Sequence, residues 1–118
     1  NCKSYHMFTN SDISIIKKSC IFTLEVIDLY NELVLTGKKP IAVRILSSTI
    51  DGTAALQKVL HSKTRREFID SNKQAIINFK NVVYWIQQCE KSGYWFDENI
   101  LRSAVEILEF CKSEEYVG

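Results

Sequence analysis

The feature that most constrains this chain is its shortage of turn-forming residues: its 118 residues include four glycines and one proline. An all-β sandwich or barrel needs a turn signal about every 8–12 residues, and this chain has too few for that class. The chain must therefore consist of a few long secondary-structure elements. The long element that forms from hydrogen bonds between residues close in sequence is the α-helix. We predict an all-α fold in a single domain spanning residues 1–118.

Helix-capping signals divide the chain into four helices. Gly37 and Gly93 are placed to end the first and third helices, and Pro40 suits the first turn of the second. Thr64 and Glu67 have the spacing of a capping box at the start of the third helix. After an N-terminal arm at residues 1–10, the predicted helices span about 12–36, 40–60, 64–92 and 97–112.

Apolar residues recur at intervals of three and four in each predicted helix, which indicates one buried face per helix. Ser11 and Asp97 are the expected N-caps of the first and fourth helices. Four such helices joined by short loops predict an antiparallel, up-down-up-down four-helix bundle. In the first helix the predicted buried stripe comprises Ile16, Cys20, Ile27, Tyr30 and Val34, flanked by Phe22, Val26, Leu29 and Leu33.

Gly52 is the one glycine that falls inside a predicted helix. A glycine in a helix interior costs about 1 kcal/mol relative to alanine, so its presence calls for a compensating contact. We expect the backbone of a neighbouring helix to approach Gly52 closely, which makes this residue a predicted packing site.

Cysteines and histidines do not form a recognisable catalytic or metal-binding motif. Neither His6 nor His61 follows a glutamate by three residues, as di-metal bundles require, and no Ser–His–acid pattern, P-loop or H-E-x-x-H motif occurs. The longest apolar runs are far shorter than the roughly 18 residues of a membrane helix. We therefore expect a cytoplasmic protein that is not an enzyme, with no cofactor, metal, small-molecule substrate or membrane contact.

The cysteines include no C-x-x-C pair, which leaves two interpretations. The four cysteines are Cys2, Cys20, Cys89 and Cys111. The last three fall on apolar faces of predicted helices, so we predict that they are small buried residues with free thiols in a reducing compartment; disulfide bonds are the alternative.

Charge is balanced overall, at a formal net value of +1, but it is unevenly distributed along the chain. Residues 1–66 carry ten basic and five acidic side chains, and residues 67–118 carry five and nine. Such asymmetry within one domain indicates a polarised surface or a self-complementary oligomer. We expect the acidic fourth helix to be a solvated outer face, or else to meet Lys17 and Lys18 or the basic residues near position 63 of a neighbouring subunit.

One stretch of the third helix and its following turn resembles a known family. Residues 64–69 (TRREFI), Ala75, residues 84–86 (YWI) and residues 92–94 (SGY) resemble the bacterial "four helix bundle protein" family, without a gap in spacing. That family includes proteins encoded in intervening sequences of large-subunit ribosomal RNA genes, and some members carry a ribosomal-protein name. At the positions of the family's helix-2 arginine and asparagine this chain has Ser47 and Ala55. The packing pattern is thus kept, while the polar pattern is not.

The resemblance implies an antiparallel four-helix bundle that assembles into a ring-like homo-oligomer, because relatives form pentamers. A related branch, the accessory variability determinant of diversity-generating retroelements, works with a reverse transcriptase and structured RNA. Structured RNA and a reverse-transcriptase-like protein are therefore the partners that the resemblance implies. That branch is markedly basic, and this chain is not.

Basic residues cluster around the predicted turn between the second and third helices. Guanidinium groups and the free amides of a helix N-terminus both suit phosphate oxygens, so this cluster is a candidate nucleic-acid-binding site. The alternative is a solvated turn that Glu67 and Asp70 partly neutralise. We call this cluster the basic turn; it comprises Lys58, His61, Lys63, Arg65 and Arg66.

Aromatic residues concentrate near the end of the third helix, and Tyr84, Trp85, Tyr94 and Trp95 are the members we single out. Large rings with a polar atom usually anchor cores and interfaces, so we predict packing or interface roles for them. A base-stacking platform is the alternative.

Taken together, the sequence predicts a non-enzymatic, self-assembling four-helix bundle that offers a surface to structured RNA or to a nucleic-acid enzyme. A purely structural or protein-binding oligomer with no nucleic-acid role is the alternative, which the near-zero net charge favours.

Overall fold

A computed structural model describes residues 9–116 of the chain. This part contains four α-helices and no strand: α1 (Asn10–Leu35), α2 (Lys39–Leu60), α3 (Arg65–Lys91) and α4 (Glu98–Ser113), followed by a 3₁₀ turn at Glu114–Tyr116. The prediction of four helices is confirmed. Most of the predicted N-terminal arm lies outside the described residues, and its last residue, Asn10, belongs to α1.

Side-chain caps determine where the helices begin. The Thr64 hydroxyl accepts a hydrogen bond from the Glu67 amide at 3.1 Å, and the Glu67 carboxylate accepts one from the Thr64 amide at 3.1 Å, as the capping-box spacing predicts. Asp97 caps α4 by accepting from the Asn99 amide at 2.8 Å. The expected cap at Ser11 is wrong: Thr9 caps α1 through a second capping box with Asp12, and Ser11 lies in the first turn.

Glycines end two of the helices, as predicted. Gly37 and Gly93 have φ angles of +79° and +73°, a left-handed conformation that favours glycine. The Lys38 amide donates to the Leu33 carbonyl at 2.7 Å. The Tyr94 amide donates to the Cys89 carbonyl at 2.9 Å. Both turns are therefore Schellman motifs, which reverse the chain within a few residues.

The helices form a bundle in which α1 and α3 each pack against both α2 and α4. Consecutive helices are antiparallel, because short turns join them and the chain reverses at each turn. The molecule therefore has two ends. The turns at Gly37 and Gly93 lie at one end, which we call the glycine end. The α2–α3 turn, the start of α1 and the end of α4 lie at the other, which we call the basic end.

The core contains three fully buried phenylalanines: Phe22, Phe68 and Phe79. Gly52 of α2 lies against the Phe79 ring, since a Cβ atom at position 52 would lie 3.0 Å from Phe79 Cε2 and 3.2 Å from Asn78 Cβ. Close approach at Gly52 thus occurs, but the neighbour is an aromatic side chain instead of the expected backbone.

The predicted buried stripe of α1 is wrong. The core face of this helix consists of Ile15, Phe22, Val26, Leu29 and Leu33. Cys20 and Ile27 of the predicted stripe are exposed, and its other members are only partly buried. The reason is that α1 is apolar on two faces, so the three–four spacing alone does not distinguish the buried face from the exposed one.

Asn72 is a buried polar residue that the sequence pattern does not single out. Its Nδ2 donates to the Cys111 carbonyl oxygen at 2.9 Å, and its side chain is 2% exposed. This hydrogen bond links α3 to the last turn of α4. The last carbonyl groups of a helix have no amide donor within the helix, so a side chain from a neighbouring helix can serve as their donor. Asn72 thereby fixes the register of α4 against α3 at the basic end.

Candidate functional site

The basic turn is exposed, and its residues lie close together in both sequence and structure. All five of its side chains are exposed at the basic end, and His61 Nδ1 lies 2.9 Å from the Gln57 carbonyl oxygen. Arg66 is 92% exposed. The structure therefore brings together the five residues that the sequence places near one another.

Two carboxylates reduce the positive potential of the basic turn. Glu67 Oε2 accepts from the Lys63 and Thr64 amides at 3.2 and 3.1 Å, so the helix N-terminus that would face a phosphate already holds an anion. Asp70 Oδ2 lies 3.7 Å from Arg66 Nε. A polyanion would therefore contact the exposed side chains of this turn instead of the α3 N-terminus.

A groove at the glycine end joins aromatic and cationic side chains that are distant in sequence. The Arg44 guanidinium lies 5.0 Å from the centroid of the Trp85 ring, and Lys38 Nζ lies 4.7 Å from that of the Tyr94 ring. Both distances are those of cation–π contacts. We call this groove, of about 460 Å³, the aromatic groove, and its charged and aromatic lining consists of Lys38, Arg44, Trp85 and Tyr94.

The remaining aromatics flank this groove or lie away from it. Tyr84 packs edge-on against Trp85, with centroids 4.9 Å apart and an interplanar angle of 82°, and remains 51% exposed. Trp95 lines a different groove, between α1 and the start of α4. Tyr94 and Trp95 are adjacent in sequence but line two separate grooves. The aromatic residues therefore do not form a single stacking platform.

The groove that contains Trp95 is acidic. It has a volume of about 530 Å³, and Ile100 and Asn31 complete its lining. We call it the acidic groove; its carboxylates are Glu25, Asp28, Glu32 and Asp97. This groove could not be predicted from the sequence, because three of these residues lie on α1 and the fourth follows α3, some 65 residues further along the chain.

Lys18 contacts an acid of its own chain. Its Nζ lies 3.0 Å from Glu106 Oε1 of α4. A contact between Lys18 and the fourth helix of a neighbouring subunit was the alternative to a solvated outer face, and here the contact forms within one molecule. Both side chains are partly exposed, at 37% and 53%, and such pairs contribute about 0–1 kcal/mol. The remaining acids of α4 include Glu109, which lies 3.8 Å from Lys112.

The described cysteines are free thiols. Burial raises the pKa of Cys89 to about 11. Burial, with a smaller contribution from the charge of Glu114, raises the pKa of Cys111 to about 12. Both thiols are therefore protonated near neutral pH, which makes them poor nucleophiles. Cys20 is exposed, contrary to prediction, and Cys2 lies outside the described residues.

The described residues contain no candidate metal-binding cluster and no candidate membrane-spanning helix. Between residues 9 and 116 no group of three or more His, Cys, Asp or Glu side chains is arranged to hold a metal ion. Over the same residues no helix combines the length and apolar character needed to cross a bilayer.

These features define the chain as an all-helical protein with a four-helix bundle fold and two oppositely charged grooves at one end. A similar solved structure is that of a protein of unknown function from the S23 ribosomal protein family of Bacteroides thetaiotaomicron. It is 23% identical, the match covers 89% of this chain and 97% of that one, and the TM-score is 0.80. No family model and no curated protein matches the chain. The structural similarity establishes a shared fold.

Proposed function

We propose that this protein is a non-enzymatic, self-assembling member of the ribosomal RNA intervening-sequence family, which forms a ring-like homo-oligomer and serves as a scaffold for a macromolecular partner. The observation that carries the proposal is a second apolar face on α1, turned away from the core. This outer face comprises Ile13, Ile21, Leu24 and Ile27, which are 47%, 60%, 65% and 41% exposed.

A monomer would leave this outer face in water. A helix on the surface of a single bundle normally has one apolar stripe and a polar opposite side, whereas α1 is apolar on both. Fully burying an Ile or Leu side chain contributes about 1.5–3 kcal/mol. Association that covers the exposed parts of these four side chains is therefore favourable. Ile21, Leu24 and Ile27 follow one another at intervals of three residues along α1, and neighbouring exposed apolar side chains of this kind mark an interaction site.

Other observations support the remaining parts of the proposal. The shared fold with an S23-family protein supports the family. The buried, protonated thiols of Cys89 and Cys111 support a non-enzymatic role, since they are unsuited to nucleophilic catalysis. Free thiols in the described residues support a reducing compartment such as the cytoplasm. A pentameric ring is the assembly that the family resemblance favours.

The test is the effect of Leu24→Lys on molar mass in solution. We expect the wild-type protein to scatter light as a multiple of the 13.6 kDa chain. Leu24→Lys should shift it toward the monomer, because a charge would have to be buried in the interface. Val105→Lys, at a 38% exposed position of α4, is the matched control and should leave the mass unchanged. A monomeric wild-type protein, or a Leu24→Lys variant of unchanged mass, contradicts the proposal.

Structured RNA is the second candidate partner, and the specific observation in its favour is the exposure of the basic turn. Because Glu67 occupies the α3 N-terminus, contact would depend on the outward-facing side chains of Lys63, Arg65 and Arg66. Each phosphate contact contributes about 0.7–0.9 to the slope of log affinity against log salt concentration.

We expect K63A/R65A/R66A to weaken binding to structured RNA and to lower that slope by about 2 in a salt-titrated gel-shift assay. The control K73A/K80A/K91A removes the same charge from exposed positions along α3 and should retain most of the slope. If the wild-type protein shows no salt-dependent shift, or if both triple variants lose affinity equally, the basic turn is not an RNA site. A structural or protein-binding oligomer would then be the function that remains.

A further inference from the structure

We infer that the aromatic groove of one copy of this protein receives the acidic groove and the adjoining outer face of α1 of a second copy, in a head-to-tail contact. The inference rests on the proposed self-assembly and names the two surfaces that would meet. It commits to a second copy of this chain as the occupant of both grooves.

Charge complementarity is the first argument. Among the described residues, the lining of the aromatic groove includes two basic side chains, Lys38 and Arg44, and no carboxylate. The lining of the acidic groove includes four carboxylates and no basic side chain. The other three described grooves each combine both signs: Lys58 with Asp51 and Asp70, Lys18 with Glu106, and Lys73 with Glu114 and Glu115. These two grooves are therefore the oppositely charged pair, and complementary potentials select partners and orientation.

The α2 N-terminus adds to the positive potential of the aromatic groove. Its N-cap residue, Lys38, makes no side-chain capping hydrogen bond, and the first turn of α2 contains no acidic residue. In contrast, Asp12, Glu67 and Glu98 lie in the first turns of α1, α3 and α4. Among the four described helices, α2 is thus the one whose first turn contains no carboxylate to balance the positive end of the helix dipole. A carboxylate from a second copy would be stabilised there.

Apolar surface accompanies the charge on both sides of the proposed contact. Leu24 and Ile27 directly precede Glu25 and Asp28 in α1, so the outer apolar face borders the acidic groove, and Trp95 is 40% exposed within that groove. On the other surface, Tyr84 packs against Trp85 and is 51% exposed, and Val43, which directly precedes Arg44 in α2, is 44% exposed. An aromatic and aliphatic centre with a charged rim is the usual composition of a specific interface.

The cations of the aromatic groove are already positioned. Arg44 lies over the Trp85 ring and Lys38 lies over the Tyr94 ring, so each long side chain is already restricted by a contact before association and loses less freedom when a partner binds. A guanidinium has five N–H donors in a planar fork and binds a carboxylate with two parallel hydrogen bonds. The geometry therefore suits Arg44 to a glutamate or aspartate of the second copy.

The two surfaces lie on opposite sides of the bundle. The aromatic groove is formed by α2 and α3, with the turn before α2, whereas the acidic groove lies on α1 and the start of α4. A contact between two different surfaces of the same molecule is heterologous, and repetition closes it into a ring or extends it as a filament. It differs from a twofold dimer, in which each surface would meet its own copy.

The test uses two variants, each of which lacks one surface and keeps the other. K38A/R44A removes the cations of the aromatic groove, and E25Q/D28N/E32Q neutralises the α1 carboxylates without changing side-chain size. We expect each variant alone to lose at least tenfold in association affinity by sedimentation. An equimolar mixture should form a heterodimer of twice the chain mass, because one intact contact remains per pair. The controls K73A/K80A and E98Q/E109Q, at exposed positions outside both grooves, should assemble as the wild type does.

The outcomes separate this inference from the proposed function. If the wild type assembles and Leu24→Lys disrupts it, but K38A/R44A assembles normally, self-assembly stands and the contact assigned here is wrong. If both groove variants are monomeric and well folded by circular dichroism, yet their mixture forms no heterodimer, the two grooves do not meet. If the wild type is monomeric, the proposed self-assembly fails and this inference fails with it.

Discussion

Replacing Phe79 by alanine is expected to lower the free energy of unfolding by about 3–5 kcal/mol. The Phe79 ring is fully buried at the centre of α3 and packs against Gly52 of α2. Alanine would remove its contacts and leave a cavity that the two long helices cannot fill without shifting. Since a domain of this size is stable by about 5–15 kcal/mol, the change removes a large fraction of the total.

The measurement is urea unfolding followed by circular dichroism at one protein concentration, because assembly makes apparent stability depend on concentration. The control is Ile77→Ala, two residues away on the same helix and 51% exposed, which should change the free energy of unfolding far less. A cost below 1 kcal/mol for Phe79→Ala, on the order of a surface substitution, would show that Phe79 is not a core residue.

Gly52→Val is expected to lower the free energy of unfolding by about 1–3 kcal/mol, although valine has the higher helix propensity. A Cβ atom at position 52 would lie 3.0 Å from Phe79 Cε2 and 3.2 Å from Asn78 Cβ. Both are closer than ordinary van der Waals contact, and valine would place further methyl groups in the same space. The interhelical distance between α2 and α3 would have to increase.

A double-mutant cycle with Phe79→Leu tests the cause of this effect. If the Phe79 ring is the obstacle, the cost of Gly52→Val should be smaller when leucine replaces phenylalanine, with a coupling energy of about 0.5–3 kcal/mol. Ala54→Val, at an exposed position of the same helix, is the matched control for β-branching. Equal costs of Gly52→Val in both backgrounds would contradict the steric explanation.

Local chemistry accounts for what could be predicted from the sequence. The capping box at Thr64 and Glu67 and the left-handed glycines at positions 37 and 93 involve residues within five positions of one another. Their hydrogen bonds join residues close in sequence, so the number of helices, the ends of α1 and α3 and the start of α3 could be predicted, whereas the start of α1, at Thr9 instead of Ser11, was missed. The basic turn was predictable as a group for the same reason, since its members lie within nine residues of sequence.

The candidate grooves could not be predicted, because their members meet only when the helices pack. Arg44 reaches Trp85, and Glu25 approaches Trp95, only in one register of antiparallel helices. Nothing in the spacing of α2 indicates which residue of α3 it will face. The aromatic residues were predicted as interface anchors, but their division between two oppositely charged surfaces follows from the α3–α4 turn.

The shortage of glycine and proline, read with the capping signals, determined that this protein is four helices with tight reversals. That result is local, since each helix satisfies its own backbone hydrogen bonds. The tertiary structure alone decided which face of α1 is buried. Both faces are apolar, and the choice depends on which one complements α2 and α4, with Phe22, Val26 and Leu29 in the core and Leu24 and Ile27 outside. Periodicity specifies that a helix has an apolar face, whereas packing against the other helices selects it.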